Sequence, residues 1–302
     1  MQKEKESVHL KRNRQKKIGN LKTYIVLFVL LSILLSLVSN IYLFVKVIKL
    51  EKKINKISLN RIIRRANSKK RGYIIRSKFN KVATGESNLR DEKDTMKVYL
   101  TFDDGPSENT DKVLDILDDY SIKATFFVVG KKGKDADRRY KRIVKEGHTI
   151  GMHSYTHDYS DIYASLSNFS KDYKRIFERI KSATGVSPKY YRFPGGSINN
   201  YSRRNILSCI NYLDENKIKY FDWNVSAQDA TNKPLTKDDI IENILKDVVK
   251  YKTSVVLLHD SKGKDETVNA LPELIKALQE MGAVILPISN DTKVIQFITL
   301  ED

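Results

Sequence analysis

A chain of 302 residues, 40% hydrophobic and 30% charged, is long enough for one large domain or two ordinary ones, and too apolar to be disordered throughout. Its formal charge of +18 invites a nucleic-acid partner, but the excess is local. Residues 1–22 carry 8 basic and 2 acidic side chains, residues 46–95 carry 16 and 5, and residues 96–302 carry 31 and 30. A basic groove on the body of the protein is therefore not supported, and no nucleic-acid partner is expected.

In chain order, the basic stretch 1–22 runs into "TYIVLFVLLSILLSLVSNIYLFV", residues 23–45, which holds no charge. At about 1.5 Å per residue a helix of this length reaches roughly 34 Å, enough to cross a bilayer core of about 30 Å. The run is too long for a secretory signal, and no small-x-small cleavage site follows it. Lys and Arg crowd both ends, which argues against a buried core helix. These features predict an uncleaved transmembrane anchor with residues 1–22 as a cytoplasmic terminus. Both flanks are basic, so charge bias alone does not orient the segment. Val47, Leu50, Ile54 and Ile57 then keep a seven-residue apolar spacing too short for a coiled coil, and the Lys-, Arg-, Asn- and Ser-rich residues 60–95 read as the rest of a solvated stalk over 46–95.

From Met96 the pattern changes. "KVYLTF", "ATFFVV", "HTIGM", "YYRF", "KYFDWNV", "SVVLLH" and "AVILPI" read as seven strands. Amphipathic stretches such as "VLDILDDY", "YKRIVKEG", "FSKDYKRIFERIKSATG", "LTKDDIIENILKDVVK" and "ETVNALPELIKALQEMG" read as helices between them, several closed by Gly. The single cysteine, Cys209 in "NILSCINYL", reads as a small buried helix residue and says nothing about redox compartment. Alternating strands and helices over residues 96–302 predict a parallel α/β domain, with a closed or nearly closed barrel favoured over an open doubly wound sheet.

The unusual polar residues fall at strand ends. Asp103 and Asp104 follow the first strand, His153 and His157 the third, Arg192 closes the fourth, Asp229 follows the fifth and His259 closes the sixth. In a parallel barrel all of these open on one face. Singly, each has an ordinary reading: a turn, an i,i+4 surface pair, a structural ion pair, a hydrogen-bonded core histidine. Their shared position argues against coincidence. Two histidines and one carboxylate make a metal site with open positions, and a second carboxylate, unable to point the same way along a strand end, is left as a base. A histidine across the site, its charged form supported by Asp229, can protonate a leaving group. This is equipment for metal-assisted hydrolysis of an acyl group.

"TFDDG", "HSYTH", "RFPGG", "WNVSAQDA" and "LLH" also resemble, in order, the five motifs of the polysaccharide deacetylases, carbohydrate esterase family four with the NodB-homology domain. The resemblance covers residues 96–290. With the anchor and stalk, the chain looks like the Gram-positive peptidoglycan N-acetylglucosamine deacetylases. It implies a distorted (β/α)7 barrel, Asp103 as general base, Asp104, His153 and His157 as metal ligands, and Arg192 holding Asp103. It further implies Gly195 donating its N–H to the oxyanion, Leu257 lining the acetyl pocket, and His259 as general acid tuned by Asp229. The implied metal is a divalent ion, zinc first, with cobalt, manganese or nickel accepted. The implied partners are a cell-wall glycan and the membrane, with the domain outside the cell.

Two positions depart from the family. Ser226 and Ala230 stand where an Asp-x-x-Asp-Trp pattern is common, which removes an aromatic wall, and Gly195 stands where tyrosine is common. Trp223 reads as core. The competing readings are a deacetylase of another acetylated polymer, such as poly-N-acetylglucosamine or muramic residues, a non-catalytic glycan-binding wall protein, and a tethered nucleic-acid binder. Oligomeric state is not encoded in these patterns.

Overall fold

In β1 (Lys97–Asp103) every residue after Lys97 is buried, and alternate side chains enter two different cores. Val98, Leu100 and Phe102 join the large cluster between sheet and helices. Tyr99 faces the other way, into a smaller cluster with Phe127, Tyr190, Phe221, Val255 and Ile288. A strand buried on both faces is the mark of a parallel sheet covered on both sides. The computed structural model describes residues 95–300 except 203 and 232, together with residue 46. The expected anchor over 23–45 and nearly all of the stalk lie outside the described residues. Among the described residues no helix is long and apolar enough to cross a membrane.

The other strands are β2 (Thr125–Val128), β3 (Thr149–Met152), β4 (Tyr190–Tyr191), β5 (Lys219–Tyr220), β6 (Val225–Ser226), β7 (Thr253–His259) and β8 (Val284–Ile285). All pairs are parallel, in the order β5-β4-β3-β2-β1-β7-β6, with β8 beside the N-terminal end of β1. Each neighbour in that order is also a neighbour in sequence except β1 and β7. This is a barrel opened between β5 and β6, not a doubly wound sheet whose order reverses at β1.

The opening corrects one expectation. "KYFDWNV" is not one strand: its ends pair as β5 and β6 on opposite edges of the sheet. Asp222, in its middle, is fully buried and turns to other partners. Its N–H donates to the Ile295 carbonyl, and its carboxylate accepts from the Ser197 N–H and O–H and the Phe297 N–H at 2.7 to 2.9 Å. The apolar run is therefore broken by a charge that the C-terminal segment ties down. The last expected strand also shrinks, to Val284–Ile285.

The helices are α1 (Glu108–Asp119), α2 (Lys134–Lys145), α3 (Tyr159–Ile162), α4 (Leu166–Thr184), α5 (Ile206–Glu215), α6 (Lys237–Val248) and α7 (Asp265–Glu280). Local signals set their ends. Ser107 caps α1 in a reciprocal box with Thr110, Thr236 does the same for α6 with Asp239, and Gly185 ends α4 with φ 76°. Phe169, Tyr173, Ile176 and Ile180 make the buried stripe of α4, at helical spacing. Strand register does what the site needs: Asp103 lies beside both Phe127 and His259, and Met152 beside Tyr191, so the C-terminal strand ends are level.

Candidate active site

Asp103 is the last residue of β1, and its side chain points with Tyr99 and Thr101 into the barrel. It is 2% exposed. Its Oδ1 accepts from Arg192 Nη1 at 2.9 Å. Arg192 is fully buried and committed on every side: Nη1 also donates to Thr101 Oγ1 at 2.6 Å, Nε to the Phe221 carbonyl at 3.0 Å and Nη2 to the Asp222 carbonyl at 3.1 Å. The guanidinium lies 4.3 Å above the Phe127 ring centroid. A buried ion pair this fully bonded fixes the Asp103 carboxylate in one orientation.

Strand alternation would turn Asp104 away from Asp103, as the sequence reading expected. Instead Asp104 adopts φ 73°, in the left-handed region, and its carboxylate returns to the same side. His153 Nε2 lies 3.7 Å from Asp103 Oδ2 and 3.5 Å from Asp104 Oδ1, and His157 Nε2 lies 3.1 Å from Asp104 Oδ1. Gly105 then permits a close approach: a Cβ there would meet the buried Asp260 carboxylate at 2.5 Å.

The two histidines sit on a tight loop after β3, not on a helix. Ser154 and His157 adopt φ 72° and 56°. The His157 N–H donates to Ser154 Oγ at 2.9 Å. From α4, the buried Asp172 accepts from the N–H groups of Tyr155 and Thr156 at 2.8 and 3.0 Å. Sequence reasoning missed Asp172, although the signal was present: a carboxylate set among the apolar positions of an amphipathic helix, beside Tyr173 and three after Phe169.

Asp104, His153 and His157 offer ligand atoms that all lie within 4.8 Å of one another. The donor set fits a divalent ion. His153 Nδ1 is 2.8 Å from the Arg192 carbonyl, an acceptor, so that nitrogen carries the proton and the Nε2 lone pair faces the carboxylates. Asp104 Oδ1 is a buried acceptor facing the Nε2 atoms of both histidines, with no other hydrogen-bond partner. Burial works to raise the Asp104 pKa, but the surrounding His157, His153 and His259 outweigh it and hold the group well below the usual carboxylate range. Burial lowers the pKa of His153, favouring the neutral ligand form.

Across the opening, His259 ends β7. Its Nδ1 lies 2.8 Å from Asp229 Oδ1, and its N–H donates to Asp229 Oδ2 at 2.9 Å. Thr267 Oγ1 donates to the same carboxylate, and Lys264 Nζ to the Asp229 carbonyl. Burial pulls the His259 pKa down, but Asp229 overrides it and the group is pushed up to about 9. Leu257, two residues before on the same strand face, is 8% exposed. Gly195, with φ 75°, packs against Tyr159, whose ring meets His157 edge-on at 5.3 Å. The candidate site residues thus lie at the C-terminal ends of the strands or in the loops that follow them, with Leu257 two residues inside β7, in two sets joined by the β1–β7 register.

Known proteins resemble this chain in sequence and fold. Residues 90–212 match the sequence family described as Polysaccharide deacetylase. A peptidoglycan-N-acetylglucosamine deacetylase of Bacillus cereus is 32% identical over 208 residues, covering 68% of this chain and 72% of that protein. This chain is a polysaccharide deacetylase by family. The crystal structure of the catalytic domain of a peptidoglycan N-acetylglucosamine deacetylase from Eubacterium rectale superposes with a TM-score of 0.64 at 34% identity, over 72% of this chain and 98% of that domain. A chitooligosaccharide deacetylase of Sinorhizobium fredii is 31% identical, over 62% of this chain and 88% of that protein. The polysaccharide deacetylase reading and its parallel α/β fold are therefore those of a hydrolase family.

Proposed function

We propose that the chain is a membrane-anchored, metal-dependent hydrolase that removes acetyl groups from N-acetylglucosamine units of peptidoglycan, with residues 96–302 outside the cytoplasmic membrane. The observation that carries this reading is the convergence of the Asp103–Arg192 pair, the Asp104–His153–His157 cluster and the Asp229–His259 pair on one strand-end face. The anchor over 23–45 and the wall substrate support each other: an enzyme acting on peptidoglycan works from the outer face.

Asp104, His153 and His157 would hold the divalent ion, zinc first. When bound, such an ion polarises the acetyl carbonyl and lowers the pKa of water. Asp103, oriented by Arg192, takes a proton from the attacking water. The water oxygen bonds to the acetyl carbon, and the N–H of Gly195 donates to the developing oxyanion. His259, charged at neutral pH through Asp229, gives its proton to the amide nitrogen as the C–N bond breaks. Acetate and a free amine result. Leu257 offers an apolar wall to the acetyl methyl.

The test is acetate release from purified peptidoglycan by the full chain, before and after chelation and with zinc restored. Release that disappears on chelation and returns with zinc is expected; glycan binding with no release under any metal would sink the reading. The likeness to a chitooligosaccharide deacetylase favours one alternative, a free N-acetylglucosamine polymer as substrate. Release from that polymer and not from peptidoglycan would select it.

A further inference from the structure

The rings beside the metal-ligand cluster continue outwards in a row. His153 and His157 have centroids 5.1 Å apart, His157 and Tyr159 5.3 Å, and Tyr159 and Tyr201 5.5 Å. The row starts at a histidine that is 3% exposed and ends at a tyrosine that is 63% exposed. Tyr159 opens α3, and Tyr201 lies on the loop between β4 and α5, so two separate segments supply the outer rings. Ile198, on the same loop as Tyr201, is 57% exposed.

The packing around the row leaves space for it. A Cβ at Gly195 would lie 2.8 Å from Tyr159 Cε1 and 3.3 Å from its hydroxyl, so glycine there yields its side-chain volume to the Tyr159 ring. Tyr159 is half-buried and faces the reacting end of the site. A single exposed tyrosine on a protein surface needs no explanation. One in a row with two histidines of a hydrolytic cluster, where Tyr159 stands edge-on to His157 and tilted 60° to Tyr201, offers aromatic faces and polar edges leading outwards from the reacting position.

We propose that Tyr159 and Tyr201 form a stacking platform for a pyranose unit next to the one being deacetylated, which makes the site selective for linked sugars over a single sugar. The C–H face of a pyranose lies on the exposed Tyr201 ring, and Tyr159, inclined to it, holds that ring and offers its hydroxyl to a sugar oxygen. This inference rests on the deacetylase reading and names what sets its preference for polymers.

The experiment compares the zinc-loaded full chain with Tyr201→Ala and Tyr201→Phe, on the monomer and pentamer of β-1,4-linked N-acetylglucosamine. Tyr201→Ala is expected to raise KM for the pentamer about fivefold with a smaller change in kcat, narrowing the pentamer-over-monomer preference in kcat/KM by the same factor. Tyr201→Phe keeps the ring and should stay within about twofold of wild type. Calorimetric titration of chelator-treated protein with the pentamer should show the same fivefold weakening for Tyr201→Ala, independent of turnover. A Tyr201→Ala protein that matches wild type in both preference and affinity overturns the platform while leaving the deacetylase reading intact. So does a wild type that fails to prefer the pentamer, or that leaves both oligomers untouched while still releasing acetate from peptidoglycan. A wild type that releases acetate from none of the three substrates overturns the deacetylase reading and the platform with it.

Discussion

The metal-ligand half of the site and its proton-transfer half rest on different supports. Asp104 and His157 lie in connecting segments and hold left-handed φ angles that non-glycine residues adopt at a cost on the order of 1 kcal/mol each. Asp103 and His259 end two paired strands, and Arg192 follows a third, with regular backbone and nearly complete burial. The proton-transfer groups are therefore placed by the barrel itself. Of the ligand groups, His153 continues the β3 ladder with its N–H on the Val128 carbonyl, but Asp104 and His157 are placed by local ties, those of Asp172 and Ser154 to the histidine loop among them, that work against backbone preference. Damage to the first half should reach chemistry and global stability together, whereas damage to the second should reach metal affinity first.

The sharpest way to break this comparison is Asp103→Asn. Removing a general base is worth about 10²–10⁴-fold in kcat. The substitution keeps the side-chain shape, so zinc content, measured by atomic absorption, should stay near one equivalent while acetate release collapses. Full activity in this variant would remove Asp103 from the role assigned to it. Arg192→Met comes next. It leaves the Asp103 carboxylate buried without its partner, and breaking such a pair costs about 3–5 kcal/mol. Urea denaturation should show a lower midpoint at unchanged slope. A midpoint like that of wild type would mean that the barrel interior does not depend on this pair.

Asp229→Asn tests the acid. In the wild type the His259 pKa is raised from 6.5 to about 9, burial lowering it and Asp229 more than compensating. Without the charge on Asp229, burial prevails, and His259 loses its proton at lower pH. The descending limb of the pH–rate profile should shift acidward, with kcat at pH 8 falling by roughly tenfold or more. The stability sign follows from the same shift. A raised histidine pKa stabilises the fold fully below 6.5, and that contribution fades as pH rises through about 9. The melting-temperature gap between wild type and variant should therefore narrow over that window. A gap that widens with pH would contradict the charged-histidine assignment.

Much of this site is legible in the sequence because its polar residues interrupt apolar strands at their ends, where burial makes a charge conspicuous. Asp103, Arg192 and His259 stand out in that way. Two kinds of information were not legible. The first is backbone conformation: alternation assigns Asp104 to the opposite face, and only its φ of 73° returns it to the site. The second is the competition of tertiary partners with local pattern. "KYFDWNV" has the composition of one strand, yet the carboxylate of Asp222 bonds to Ser197 and Phe297 and divides it into β5 and β6. The outer rings belong to the same class. Nothing in the separate stretches around Tyr159 and Tyr201 signals that they meet.

The smallest effect tests the local ties directly. Asp172→Asn keeps the volume of the side chain and one carbonyl acceptor but removes the second, so the N–H groups of Tyr155 and Thr156 and the Thr156 hydroxyl are left with a single oxygen. These amides lie between His153 and His157, and their loosening frees the left-handed turn that brings both rings to Asp104. Residues that orient metal ligands typically account for 10- to 100-fold in affinity. Zinc affinity, read by competition with a chromophoric chelator, should weaken by about tenfold, the lower end, because one acceptor survives. The chelated protein should melt only about 4 °C below chelated wild type, since the loss is confined to one acceptor of a buried side chain, about 1–1.5 kcal/mol. If instead the chelated variant melts much lower and its zinc affinity is unchanged, Asp172 supports the helix packing and not the ligand loop, and the division between a barrel-held half and a tie-held half would fail at that residue.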